Sequence, residues 1–269
     1  MLFMSISALV GYGIPVLLYI FFRRRKADPA PFFVGCGVFF IFALLLEQIV
    51  HSVVLSSSAG AAIQGNIWFY GIYGGLMAGL FEETGRFLAM KYTLNRYMYK
   101  DINSLMYGAG HGGFECIMLF AMTMTNNLVI SALINLGALD IILKNVPPEA
   151  MSQLEQVITQ LTLVPSYQFF IGSFERVFAV LIHLSLSVIV WCSVKYRKNY
   201  LYAAAVLMHA AVDCLTVVVQ SYSGSILITE LCVAVCAVLI VVASNMVFRK
   251  NNDLGLSIFD IMSKKELRH

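Results

Sequence analysis

Residues 66–90 read NIWFYGIYGGLMAGLFEETGRFLAM, an apolar run that carries Glu82, Glu83 and Arg86 in its second half. A membrane-crossing helix needs about 20 residues of this kind. Ionisable groups inside such a helix are costly and face a bundle interior or a water-filled cavity. The stretch therefore predicts a bilayer-spanning helix with a polar site built into it.

Six further runs of similar length surround it, near 3–22, 31–56, 102–130, 169–194, 200–220 and 225–248. Over 269 residues, 59% are hydrophobic and 12% charged, with a mean hydropathy of +0.80. A soluble domain carries about 25% charged residues. The expected fold is all-α, a polytopic membrane helix bundle of about seven transmembrane helices forming one domain over 1–269. The lipid bilayer is its solvent, and the net charge of +3 gives no sign of a nucleic-acid partner. Cys36, Cys116, Cys192, Cys214, Cys232 and Cys236 all lie in apolar runs without a CxxC pair, which excludes a disulfide framework and a thiolate zinc site. Arg23-Arg24-Arg25-Lys26 follows the first run instead of preceding it, so that run reads as a retained span.

With seven spans, alternate connections hold Arg23–Lys26, Lys91, Arg96, Lys100, Lys195, Arg197, Lys198, Arg249, Lys250, Lys264, Lys265 and Arg268, 15 of the 18 basic residues. Arg86 and Arg176 are inside spans, and Lys144 alone is in a connection on the other side. The positive-inside rule then orients the chain N-outside and C-cytoplasmic, in a cell membrane. The long outer connection, about 131–168, has Met151, Leu154, Val157, Ile158 and Leu161 at helical spacing, which predicts a short amphipathic helix over 149–163.

Other spans carry ionisable groups at matching depth. Counted from the cytoplasmic end, Glu82, His111 and His209 each lie about 9 residues in, or about 14 Å. Glu115, His183 and Asp213 come slightly deeper. Glu82 and Arg86, His111 and Glu115, and His209 and Asp213 are i,i+4 pairs, each sharing a helix face. Gly108, Gly110, Gly112 and Gly113 around His111 allow close helix approach. A carboxylate and a histidine converging on water form a general base. A second histidine can donate to an oxyanion. Three imidazoles, His111, His183 and His209, with a carboxylate also suit zinc. Glu175 and Arg176 lie nearer the outer end and read as an ion pair, and Glu47 and His51 as interfacial groups.

These residues resemble the motifs of the YhfC family of bacterial intramembrane peptidases, grouped with CAAX-processing and PrsW-type proteases. The wider group is marked by Glu-Glu-x-x-x-Arg, Phe-x-x-x-His and His-x-x-x-Asn/Asp on successive helices. Glu82-Glu83-Thr84-Gly85-Arg86 is similar to the first with one residue fewer before Arg. His111 stands in place of the second motif's histidine behind Met106-Tyr107, and His209 to Asp213 fits the third. The resemblance covers about residues 80–215 and implies a hydrolase acting on a membrane-embedded or membrane-associated peptide or protein. Its site would be Glu82, Glu83, Arg86, His111, His209 and Asp213, supported by Glu115 and His183. Glu82 with His111 would activate water, and His209 with Asp213 would stabilise the oxyanion. The favoured reading requires no cofactor, with zinc as the alternative. The seven-span scaffold subunit of γ-secretase also resembles this chain, so a non-catalytic scaffold or chaperone, or a transporter using the polar layer, stands as a competing expectation. The paired Glu82 and Glu83 favour catalysis, and the lack of two repeated halves disfavours transport.

Overall fold

A computed structural model describes residues 1–144, 146–252 and 254–263, with the side chains of Ile141, Ile142 and Glu149 also outside the description. Lys264, Lys265 and Arg268 of the basic asymmetry lie outside the described residues. Every regular element among the described residues is helical. Six helices are long and apolar enough to cross a membrane: α1 Leu2–Arg24, α2 Ala30–Leu55, α4 Ile102–Asn135, α5 Gln168–Lys195, α6 Asn199–Ser223 and α7 Ile226–Asn251. The remaining long helix, α3 Ile67–Leu88, runs on through a π-helical turn at Ala89–Thr93. Its 22 residues rise about 33 Å, but with its glycines and charges it is not among the six. It is the helix that carries the paired glutamates.

The protein is a multi-pass membrane protein, and its surface shows it. Leu9, Leu17, Val53, Leu227, Leu231, Val238 and Leu239 all point outward, a display that suits acyl chains and not water. The interior is centred on α4 and α5. In α4 every residue from Ile102 to Gly113 is buried, and in α5 every residue from Ile182 to Ser193. Short connections at one end are tied together by ions. Lys100 Nζ reaches Asp28 at 3.0 Å across two of them, and Lys195 Nζ reaches Asp101 at 2.6 Å. The connection from α4 to α5 contains a helix, Pro148–Leu163, opened by Pro147-Pro148. Its Met151, Leu154, Ile158 and Leu161 are half-buried while Gln153, Glu155, Gln156 and Gln160 are exposed.

Two glycine contacts set the spacing on which the site depends. Gly71, Gly75 and Gly79 form a stripe on α3 against α6; a Cβ at Gly79 would stand 2.6 Å from the Val206 carbonyl oxygen. On α4, a Cβ at Gly110 would fall on the Phe32 carbonyl of α2. Small residues let helix backbones meet this closely. Two of the crossing helices also leave the α-helical register: α2 is π-helical over Phe39–Glu47 and α4 over Cys116–Ala121. Such turns are rare and concentrate near functional groups.

Candidate active site

The stripe that brings α6 against α3 places His209 beside Glu83, and the close approach of α4 puts His111 beside Glu82. Successive residues on a helix point about 100° apart, so the two glutamates have separate surroundings.

Glu83 has no exposed surface. Arg86 Nη1 donates to both of its oxygens, at 2.5 and 2.6 Å, and His209 Nδ1 lies 2.8 Å from its Oε1. Arg86 Nη2 donates to His183 Nδ1 at 3.0 Å. Guanidinium cannot accept, so this bond fixes the His183 tautomer, with a lone pair on Nδ1 and the proton on Nε2. That Nε2 stands 2.5 Å from Glu115 Oε2 in a bent contact. Glu115 Oε1 accepts from Arg176 at 2.9 Å, and Arg176 also holds Glu175. At the other end His209 Nε2 is 3.5 Å from Asp213. A continuous chain of charged groups thus links α3, α4, α5 and α6.

Glu82 stands apart from that chain. Its Oε2 meets His111 Nε2 at 2.8 Å and lies 4.0 Å from His183 Nδ1, and no hydrogen bond among the described residues uses its Oε1. His111 is fully buried, with Phe39 edge-on at 5.3 Å and Tyr107 stacked at 5.9 Å between ring centroids. Glu82, His183, His209 and Asp213 open on a cavity of about 310 Å³ inside the bundle.

All eight residues expected from the sequence therefore come together, but in different pairs. Arg86 binds Glu83 (i,i+3) and not Glu82, and Glu115 serves His183 and Arg176 and not His111. Only His209 and Asp213 keep the expected i,i+4 pairing. Arg176 joins the network through Glu115 besides pairing with Glu175. Glu47, expected at the interface, is buried on the cavity wall. Tyr107 and Glu230, which the sequence did not single out, each bury an oxygen without a hydrogen-bond partner among the described residues.

Glu82, His111 and His183 bring three ligand atoms within 4.8 Å of one another, a set that suits a metal ion. Ligands around zinc at about 2.0–2.2 Å stand about 3.4 Å apart, between the 2.8 and 4.0 Å found here. The donor chemistry fits as well. His183 has its lone pair at Nδ1, which Arg86 occupies here and would give up to a metal, and it is backed at Nε2 by a carboxylate, the usual support of a ligating imidazole. Of the three imidazoles offered by the sequence, His111 and His183 belong to the set. His209 turns Nδ1 to Glu83 instead.

A family model described as YhfC intramembrane metalloprotease matches residues 8–237. The uncharacterized membrane protein YhfC of Bacillus subtilis (strain 168) is 33% identical over 254 residues, covering 92% of this chain and 97% of the relative. No solved structure matches the chain.

Proposed function

This chain belongs to the YhfC family, and we propose that it is an intramembrane peptidase that hydrolyses a peptide bond of a membrane-embedded or membrane-associated substrate. The observation that carries the reading is the buried Glu82–His111 pair at 2.8 Å on the wall of a cavity inside the bundle. A carboxylate and an imidazole held this way inside apolar surroundings are expensive, and such groups mark function.

Glu82, His111 and His183 would hold zinc, which when bound polarises the scissile carbonyl and makes water a stronger nucleophile near neutral pH. The chain's own groups supply the rest. Glu82 Oε1, free of hydrogen bonds, takes a proton from the attacking water as its oxygen bonds to the carbonyl carbon. His209 keeps Nδ1 on Glu83 and offers Nε2–H to the developing oxyanion, with Asp213 beside it for orientation. The proton then passes from Glu82 to the leaving nitrogen as the C–N bond breaks, leaving a carboxylate and an amine. Glu115 holds His183 at Nε2 throughout, while Arg86 would release Nδ1 where zinc is bound.

The test compares membrane proteomes of cells expressing wild type or Glu82→Gln at equal level. Uncut substrates accumulating only with Glu82→Gln support the reading. Identical proteomes, with a phenotype on full deletion, replace it with a scaffold or transport role.

A further inference from the structure

Five carboxylates face the cavity: Glu47, Glu82, Glu115, Glu175 and Asp213. Each of them has a basic neighbour. Glu82 has His111, Glu115 and Glu175 share Arg176, Asp213 has His209, and Glu47 has His51. The Glu47 pair differs in how its imidazole is satisfied. Glu47 is 6% exposed, and its one contact is Oε1 to His51 Nε2 at 3.1 Å. His51 Nδ1 is in turn 2.9 Å from the Tyr73 hydroxyl. Tyr73 O–H donating to Nδ1 and Nε2–H donating to Glu47 satisfy a neutral imidazole completely. Glu47 is thus held in place by a dyad that need not carry charge. The hydrogen bond uses Oε1, and Oε2 makes none among the described residues; the side chain stands on the cavity wall.

A carboxylate buried in a membrane bundle calls for a cation. A bare metal ion fits poorly, because the one donor group of metal-binding dimensions among the described residues is Glu82, His111 and His183, without Glu47. On its own helix Glu47 is flanked on the wall by the apolar Phe39, Ala43 and Leu44 and by Gln48. An apolar stem ending in a positive head matches that mixture.

We infer that Glu47, oriented by His51 and Tyr73, is a specificity-determining residue that receives a lysine or arginine side chain of the substrate in the active-site cavity. The inference rests on the peptidase reading for the occupant being a peptide. The substrate class becomes membrane-associated peptides with a basic residue within reach of the scissile bond.

The test uses the full chain in phosphatidylcholine nanodiscs and two labelled apolar peptides that differ only in one lysine or norleucine. Binding and cleavage are followed in wild type, Glu47→Gln and Glu82→Gln. Wild type is expected to bind the lysine peptide roughly tenfold more tightly, about one charge-pair's worth of affinity, and Glu47→Gln to erase the difference. Equal binding of both peptides by wild type overturns the inference without needing any variant to fold. A lysine preference that survives in Glu47→Gln overturns the assignment to Glu47. Cleavage that depends on Glu82 but shows no lysine preference leaves the peptidase reading standing and removes this one. A lysine preference lost in Glu47→Gln, with no cleavage by wild type, supports the cation receptor and sinks the peptidase reading alone.

Discussion

Arg86 spends its guanidinium on Glu83, donating to both carboxylate oxygens at 2.5 and 2.6 Å with neither side chain exposed. The next residue back, Glu82, shares no hydrogen bond with it and faces the cavity. Two consecutive glutamates therefore do opposite work: one is locked into the structure, and the other is kept available.

That division predicts opposite phenotypes. Arg86→Met strands the Glu83 charge, and breaking a fully buried pair costs about 3–5 kcal/mol. Its thermal unfolding temperature in detergent should fall well below that of wild type. Glu82→Gln keeps a hydrogen bond to His111 and should unfold near the wild-type temperature, yet lose about 10²–10⁴-fold in cleavage. Equal destabilisation by both substitutions would remove the distinction.

Metal content separates the histidines. His111→Ala and His183→Ala each delete a donor of the three-atom set and should abolish stoichiometric zinc, measured by mass spectrometry of purified protein. His209→Ala should retain the metal, since that imidazole faces Glu83. Glu115→Ala leaves the set intact but frees the His183 ring, and support of this kind is worth about 10–100-fold in metal affinity. Zinc retained by His183→Ala would contradict the proposed ligands.

The sequence made the helices and the depth of the polar layer readable, because both depend on composition and on rise per residue. Glu82, His111 and His209, counted to one level, come together in the bundle. Partners were not readable, because they depend on the direction each helix turns toward its neighbours. An i,i+4 count links Glu82 to Arg86, but Arg86 takes Glu83, its i,i+3 neighbour on the same helix, and Glu82 meets His111 only once α3 and α4 have packed. Glu47 reads as interfacial from its place near the outer end of its span, whereas its burial on the cavity wall depends on how α2 faces its neighbours, which position along the chain does not give.

Outside the membrane, Asp28 gives a pH signature. Burial pushes its carboxyl up, but hydrogen bonds from Asn103, Lys100 and Tyr99 more than offset this and hold it below the ordinary 3.8. Its stabilisation is therefore present above about pH 4 and lost as pH falls through the lowered value. Lys100 is desolvated by burial too, but its bonds to Asp28 and Tyr99 raise it above 10.5. Its share is full below that value and lost on passing upward through the raised one. Melting temperatures of wild type and Asp28→Asn should differ by a constant amount between pH 5 and 9 and converge toward pH 3. A gap that widens on acidification would reverse the sign.

The closest test of how packing creates the site is Gly110→Ala. The added Cβ would fall on the Phe32 carbonyl of α2, a backbone atom that cannot swing aside as a side chain can. Overpacking of this kind costs about 1–3 kcal/mol, and here it has a second consequence. Gly110 precedes His111, so moving α4 away from α2 also carries the imidazole off Glu82, to which it is joined at 2.8 Å. Gly110→Ala should therefore lower both the unfolding temperature and the cleavage rate. Gly13→Ala on α1 is the control, because its Cβ meets nothing within 4 Å and gains helix propensity of up to about 1 kcal/mol. Its unfolding temperature should hold or rise while activity stays at the wild-type level. If Gly110→Ala melts and cleaves like wild type, the α2–α4 contact does not position His111.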